Sequence, residues 1–259
     1  LAMVEVTIAP NAPPGRREIV LGTVRGVSNP LVFFVGQIPE VSRKPMVTAQ
    51  YQVLGKEELA LRQRPEDEFE QRVSLPCTAN GQIASGEVNR YRFEARKGQR
   101  LVFSAHAREL IPFVADAVPG WFQPVMVLRD AAGKEVAYSD DYRFKPDPVI
   151  LYEVPQDGEY LLDVADAIHR GREDFVYRVE MGELPFVTSV FPLGGRAGEA
   201  TAIAFKGWNV QNAELAPPPH DAAPGMHAVV AVQKGVVSNP VSFTLDTLPE
   251  TFEAEPNND

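Results

Sequence analysis

Residues 12–40 and 222–250 align without a gap at a constant offset of 210 positions, and 11 of the 29 aligned positions are identical. The identities include Pro14/Pro224, Gly15/Gly225, Ser28-Asn29-Pro30 against Ser238-Asn239-Pro240, Phe33/Phe243 and Pro39-Glu40/Pro249-Glu250. Register kept over such a span marks a true internal repeat, so whatever this chain folds into must hold the same small unit twice. Each copy reads as a hairpin. A proline-glycine turn leads into an alternating strand, with Ile19, Leu21 and Thr23 on one face of the first copy and Val229, Ala231 and Gln233 on one face of the second. A tight Ser-Asn-Pro connection then opens a strand carrying Phe33 or Phe243. The asparagine supports the turn with its side chain, and the proline fixes its own φ while driving the asparagine out of the helical region.

The second copy has an upstream partner, residues 187–210, which reads as two more strands around a glycine-rich turn. The first copy has no room for one. Residues 1–40 are therefore expected to be about half of an immunoglobulin-sized domain whose opening strands lie upstream, and Leu1-Ala2-Met3-Val4 reads as an internal stretch rather than a natural start.

Between the copies, residues 72–183 alternate with period 2. Tyr91, Phe93 and Ala95 fall on one face against Arg90, Arg92 and Glu94 on the other; Leu101, Phe103 and Ala105 continue after a Lys97-Gly98 turn. Val125–Arg129, Val149–Val154, Tyr160–Val164 and Phe175–Met181 follow, separated by turn residues. Short alternating strands with frequent turns predict an antiparallel sandwich or jelly roll. Twenty-three prolines and 19 glycines in 259 residues fit that pattern, because proline breaks helices and keeps to strand edges. Only Lys56–Arg64 and Arg108–Val118 carry any helical character, and residues 41–71 form a charged connector.

Net charge is −10, so there is no cationic surplus to exchange for phosphate counterions, and a nucleic-acid partner is not expected. Cys77 is the single cysteine, which removes any internal disulfide framework and any cysteine-based zinc site. No apolar run approaches the roughly 20 residues that span a bilayer.

Val73-Ser74-Leu75-Pro76, Asn80-Gly81-Gln82-Ile83, Tyr91–Ala95, Lys97-Gly98-Gln99, Leu128–Gly133, Asp140-Asp141, Asp157-Gly158-Glu159-Tyr160 and Phe175–Val179 resemble, in order and spacing, the bacterial pre-peptidase C-terminal domain. That module is a jelly roll found beside secreted hydrolases and in large extracellular proteins. The flanking copies resemble immunoglobulin-like modules of the IPT/TIG type. Glu253-Ala254-Glu255-Pro256-Asn257-Asn258 resembles the lead-in to a further pre-peptidase domain, which implies an array continuing past residue 259. The connector departs from the family pattern, since that lead-in is missing from 41–71. The resemblance implies an accessory role in an exported protein: secretion, binding of matrix or polysaccharide, or spacing of other domains.

Some relatives of this module bind calcium, and Asp140, Asp141 and Asp147 are the candidate carboxylates, with Asp157, Asp163 and Asp166 as further oxygens. A calcium ion wants six to eight oxygens, yet the spacing matches no EF-hand loop, and aspartates that cap turns are the preferred account. His106, His169, His220 and His227 show no chelating spacing. No Gly-x-Ser-x-Gly turn supports a serine nucleophile, no carboxylate pair stands out, and Cys77 has no catalytic neighbourhood. Trp121 and Phe122, with Tyr138, Tyr142 and Phe144 nearby, form the one aromatic-rich loop region. Such rings stack on sugars or anchor a protein partner. The competing account has them plugging the end of the sandwich.

The sequence thus predicts an all-β chain: a partial immunoglobulin-like segment (1–40), a connector (41–71), a jelly-roll sandwich (72–183), an immunoglobulin-like sandwich (184–250) and a linker (251–259). It predicts no enzyme and no required cofactor, calcium being the one candidate. The expected role is a spacer or adhesion module of a secreted, periplasmic or surface-exposed bacterial protein. The alternative is a carbohydrate- or matrix-binding accessory module of an extracellular hydrolase. Partners would be an extracellular polysaccharide or matrix protein and other domains of the same chain.

Overall fold

The computed structural model describes residues 4–44, 69–111, 121–172, 174–219, 221–249 and 251. Lys56–Arg64, most of Arg108–Val118, His220 and the 253–258 lead-in fall outside these residues. The chain divides into two units, Leu1–Glu183 and Leu184–Asp259. It is all-β.

The first repeat opens unit one. Strand β1 (Gly15–Ile19) pairs antiparallel with β4 (Leu31–Val35), Gly15 opposite Val35 and Ile19 opposite Leu31; between them β2 (Gly22–Thr23) and β3 (Gly26–Val27) make a small ladder. Ser28 closes the connection. Its N–H donates to the Leu21 carbonyl at 2.9 Å, and its Oγ accepts from the Leu21 N–H at 3.0 Å.

Next come β5 (Glu40–Ser42), β6 (Glu70–Arg72), β7 (Cys77–Gln82), β8 (Val88–Ala95), β9 (Arg100–His106), β10 (Pro124–Arg129), β11 (Glu135–Ser139), β12 (Val149–Glu153), β13 (Gly158–Asp166) and β14 (Val176–Gly182). They form two five-stranded sheets, in the order β11-β10-β13-β8-β6 and β12-β9-β14-β7-β5. Without the terminal strands β5 and β6, the eight antiparallel strands fall into the sheets β11-β10-β13-β8 and β12-β9-β14-β7, the order that two Greek keys give, which is a jelly roll. Tyr91, Phe93, Phe103, Leu128, Leu162, Tyr177, Val179 and Met181 fill the space between the sheets. The inward positions of β8 and β9 are the ones that the alternation picks out, because successive side chains point to opposite sheet faces.

Strand β7 was not legible as a strand. Cys-Thr-Ala-Asn-Gly-Gln has little β propensity, and it is held extended by ladders on both sides, to β14 and to β5. Gly81 is needed there, since a Cβ would enter the ring and hydroxyl of Tyr177. The two ends of the charged segment also act as strands. Glu40–Ser42 runs parallel to β7, and Glu70–Arg72 runs parallel to β8. Each covers a sheet edge whose N–H and C=O groups would otherwise lie unpaired.

Unit two holds β15 (Phe186–Phe191), β16 (Gly194–Arg196), β17 (Ala204–Trp208), β18 (Glu214–Ala216), β19 (Gly225–Gln233), β20 (Val236–Val237) and β21 (Val241–Asp246). Pairing of β15 with β17 makes one layer, and the order β16-β21-β19-β18 makes the other. Val187, Val190, Val210, Val229, Ala231, Phe243 and Leu245 form the core between them. The repeat is reproduced pair for pair. Gly225 faces Leu245, Val229 faces Val241, Val232 faces Val237 and Gln233 faces Val236, each 210 residues from its counterpart in the first copy. Ser238 repeats the bonds of Ser28, both to Ala231.

Candidate functional site

Three loops meet at one end of the jelly roll: the β9–β10 connection, described at 107–111 and 121–123, and the loops 139–147 and 166–170. Asp166 organises them. Its carboxylate, fully buried, accepts the N–H groups of Gln123 (3.0 Å), Ile168 (3.2 Å) and Arg170 (3.0 Å), and both Nε and Nη2 of Arg170 (2.9 Å each). Burial alone would raise this carboxyl, but the Arg170 bonds and the three backbone donors outweigh it and hold the group below the usual aspartate range. Arg170 Nη2 also donates to the Trp121 carbonyl at 2.8 Å, and the Gln123 side chain donates to the Asp140 carbonyl at 2.9 Å, so the 121–123 and 139–147 loops are tied to the same anchor.

On that base the aromatics separate. Phe122 turns inward, stacked on Phe175 with ring centroids 5.2 Å apart, and belongs to the core. Its neighbour Trp121 stays 46% exposed, with the Arg108 guanidinium 3.8 Å over its ring. Tyr138 is exposed on β11; slight burial and the neighbouring Asp140 raise its hydroxyl pKa. Tyr142 pairs with Lys145 in a two-residue hairpin and carries the Arg143 guanidinium 5.3 Å from its ring. Arg143 and Phe144 form the turn, both left-handed at φ 52° and 65°, and the Phe144 side chain is fully exposed. Non-glycine residues in this region cost roughly 1–3 kcal/mol each, so the fold holds a bulky ring in water against a local preference. In the 166–170 loop His169 is also left-handed, at φ 56°, and Ile168 is exposed. Sequence reasoning missed the Arg143–Phe144 turn, because the usual signal for such a turn is asparagine or glycine.

Asp147 caps a turn: it accepts the N–H groups of Arg108 (2.7 Å) and Glu109 (2.9 Å), one on each oxygen. Among the described residues no three His, Cys, Asp or Glu side chains converge as a metal site. Cys77 is buried, which pushes its thiol up to about 11 and leaves no thiolate for nucleophilic chemistry near neutral pH. His106 bonds Glu109 at 2.9 Å and packs its ring, tilted, against Phe34, and His227 bonds the Ala223 carbonyl.

At another part of the sandwich an open groove of about 700 Å³ is lined by Arg72, Leu75, Glu94, Arg96, Asp157 and Glu159, among others. Its charges are largely self-satisfied: Arg72 pairs with Glu159, and Asp157 accepts the Lys97 N–H. No aromatic ring lines it.

No family model matches the chain. A 79-residue stretch is 35% identical to a probable subtilase-type serine protease of Deinococcus radiodurans, covering 30% of this chain and 10% of that protein. The chain thus spans about a tenth of the curated relative it matches. Among solved structures, the pre-peptidase C-terminal domain of a Bacillus anthracis collagenase superposes with a TM-score of 0.34 at 17% identity, covering 46% of this chain and 99% of that one. A periplasmic g-type lysozyme inhibitor of Aeromonas hydrophila gives 0.28 at 10% identity, over 44% of this chain and 97% of that one. The M60 catalytic domain of Clostridium perfringens ZmpB with its CBM51 domains gives 0.27 at 12% identity, over 61% of this chain and 18% of that one. The jelly-roll assignment rests on the strand order and not on these superpositions. Among the described residues no helix is long and apolar enough to cross a membrane.

Proposed function

We propose that this chain is a non-catalytic accessory stretch of an exported bacterial protein, carried beside a subtilase-type protease, and that its jelly roll holds an extracellular polysaccharide or matrix protein at the Trp121 loop end. The observation that carries this is the pairing of Trp121 with Arg108 on loop segments hydrogen-bonded to the loop that carries a strained, fully exposed Phe144. Exposed rings fixed on a rigid base are what binding uses, since little side-chain entropy is lost on contact. Functional sites are also where left-handed bulky residues collect. The partial match to a subtilase-type protease supports the setting. The flanking repeats read as IPT/TIG-type modules, which suits an extended extracellular chain.

The test is binding of the whole chain to a glycan array and to immobilised collagen, with Trp121→Ala and Phe144→Ala as variants. Binding that falls at least tenfold in either variant, with the thermal midpoint kept, supports the reading. Binding that survives both rejects the loop assignment. Failure to bind any ligand favours the second reading, a pure spacer, for which the repeated hairpin at a 210-residue interval speaks.

A further inference from the structure

In the second repeat, the hairpin is one wall of a core and Asn239 is the clasp that holds the other wall. The Val187 N–H donates to Asn239 Oδ1 at 2.7 Å, and Asn239 Nδ2 donates to the Val187 carbonyl at 3.0 Å. A side-chain amide has one acceptor and one donor side, so it matches the main chain of one extended residue whatever that residue's side chain is. The apolar contacts are made by Val187 and Val190 against Val229, Ala231, Phe243 and Leu245.

The first repeat has the same pairing register, the same serine bonds and the same asparagine, yet its wall is more open: Ile19, Phe33 and Val35 are half-buried where Val229, Phe243 and Leu245 are buried. Leu21 is 41% exposed where its counterpart Ala231 is fully buried, Leu31 and Val27 lie open, and the Asn29 side chain has no partner among the described residues. The opposite face is already occupied: Phe34, one residue from Phe33 and so on the other side of β4, packs against His106 with the rings tilted at 41° and centroids 4.8 Å apart. The counterpart of Phe34 is the exposed Thr244, so the first copy meets the jelly roll through the face that the repeat leaves free.

We infer that the open face of the 15–35 hairpin is a binding surface for an extended β layer of the Phe186–Phe191/Ala204–Trp208 kind, supplied by the parent chain, with Asn29 clasping its backbone as Asn239 clasps Val187. Its ligand is a pair of strands with alternating apolar residues, recognised by main-chain hydrogen bonds and alternate side chains. The surface is independent of the Trp121 loop end.

Gln211 aligns with Leu1, so a copy of Leu184–Val210 placed directly before Leu1 restores the spacing of the second repeat. Hydrogen exchange of amides 15–35 is compared in the chain with and without this addition. Exchange is expected to slow at least tenfold in the extended chain. Asn29→Ala should remove most of that gain and leave the unextended chain unchanged, and Val187→Asp in the added copy should abolish it. As a second measurement that does not depend on folding of the extended chain, a synthetic 184–210 peptide is titrated into the unextended chain, with Leu21 and Phe33 resonances expected to shift. The inference is overturned by unchanged exchange together with unshifted resonances, or by a gain that persists in Asn29→Ala. It is equally overturned by concentration-dependent dimers of the unextended chain that protect the same amides, since a second copy would then be the occupant.

Discussion

Arg178 and Glu40, 138 positions apart, face each other through two parallel N–H···O bonds of 2.8 Å, with the arginine side chain only 7% exposed. Asn80 supports the pair by donating to Glu40 Oε2 at 2.9 Å. This fork lies where the first hairpin passes into β5, and the Arg178 guanidinium also sits 5.9 Å from the Phe34 ring. The hairpin is thereby fixed to the jelly roll by a charged clasp and by the contact of the Phe34 and His106 rings.

Glu40→Gln should destabilise unit one by about 1–3 kcal/mol, because it leaves a buried guanidinium with a neutral partner; Glu40 is partly exposed, which keeps the loss below that of a fully buried pair. Burial raises the Glu40 carboxyl, but the Arg178 and Asn80 bonds and the Arg178 charge prevail and depress it. A depressed acid stabilises above its unfolded value, and the contribution is lost as pH falls through its folded value. Urea unfolding from pH 7 down to pH 3 should show a steeper loss in the native chain than in Glu40→Gln; parallel curves would remove the clasp from the account.

His106 acts in the opposite sense. Burial lowers its pKa, but the Glu109 bond and the charges of Glu180, Glu109 and Asp147 outweigh this and raise it above 6.5. Its cross-strand neighbour Arg178 spends its charge on Glu40. A raised histidine contributes stability that is complete below its unfolded value and is lost as pH rises through the folded one. The urea midpoint should therefore decline on the alkaline side of pH 6.5 in the native chain and stay flatter in His106→Gln. A midpoint equally flat in both would contradict the assignment.

The buried trio of Asn89, Tyr91 and Tyr177 gives a sharper test of the core. Asn89 Nδ2 donates to the Tyr177 hydroxyl at 2.8 Å, and the two hydroxyls are 2.6 Å apart. Tyr177→Phe should cost about 1–3 kcal/mol, since it removes the hydroxyl to which the buried Asn89 amide donates and which the Tyr91 hydroxyl meets. Gly81→Ala should cost at least as much by pressing a methyl group into the Tyr177 ring. Chemical unfolding measures both, and a neutral Gly81→Ala would show that β7 has slack.

Calcium should leave the protein unchanged. Both Asp147 oxygens are used by backbone donors, and no carboxylate cluster waits beside them among the described residues. A ligand at 100 times its Kd would add about 2.7 kcal/mol and raise the thermal midpoint by several degrees. Equal midpoints in chelator and in millimolar calcium are expected, and a rise with calcium would restore a metal site.

The all-β character, the core faces of β8 and β9 and the pairing of both repeats were legible along the chain, because alternation and turn chemistry are local. Tyr91 and Phe93 face inward wherever their strand is placed, since a pleated strand sends every second side chain to one side. The Ser-Asn-Pro connection sets its own geometry within a few residues. The sequence also contained Trp121 and Phe122 as adjacent rings, but not which one would face water. That depended on Phe175, 53 positions further along, arriving to cover Phe122, and on Arg108 reaching Trp121. In the same way, nothing within Cys77–Gln82 or Glu40–Ser42 specifies a strand. Each is extended because a partner distant in sequence offers it hydrogen bonds, and such bonds exist only once the sheets have assembled.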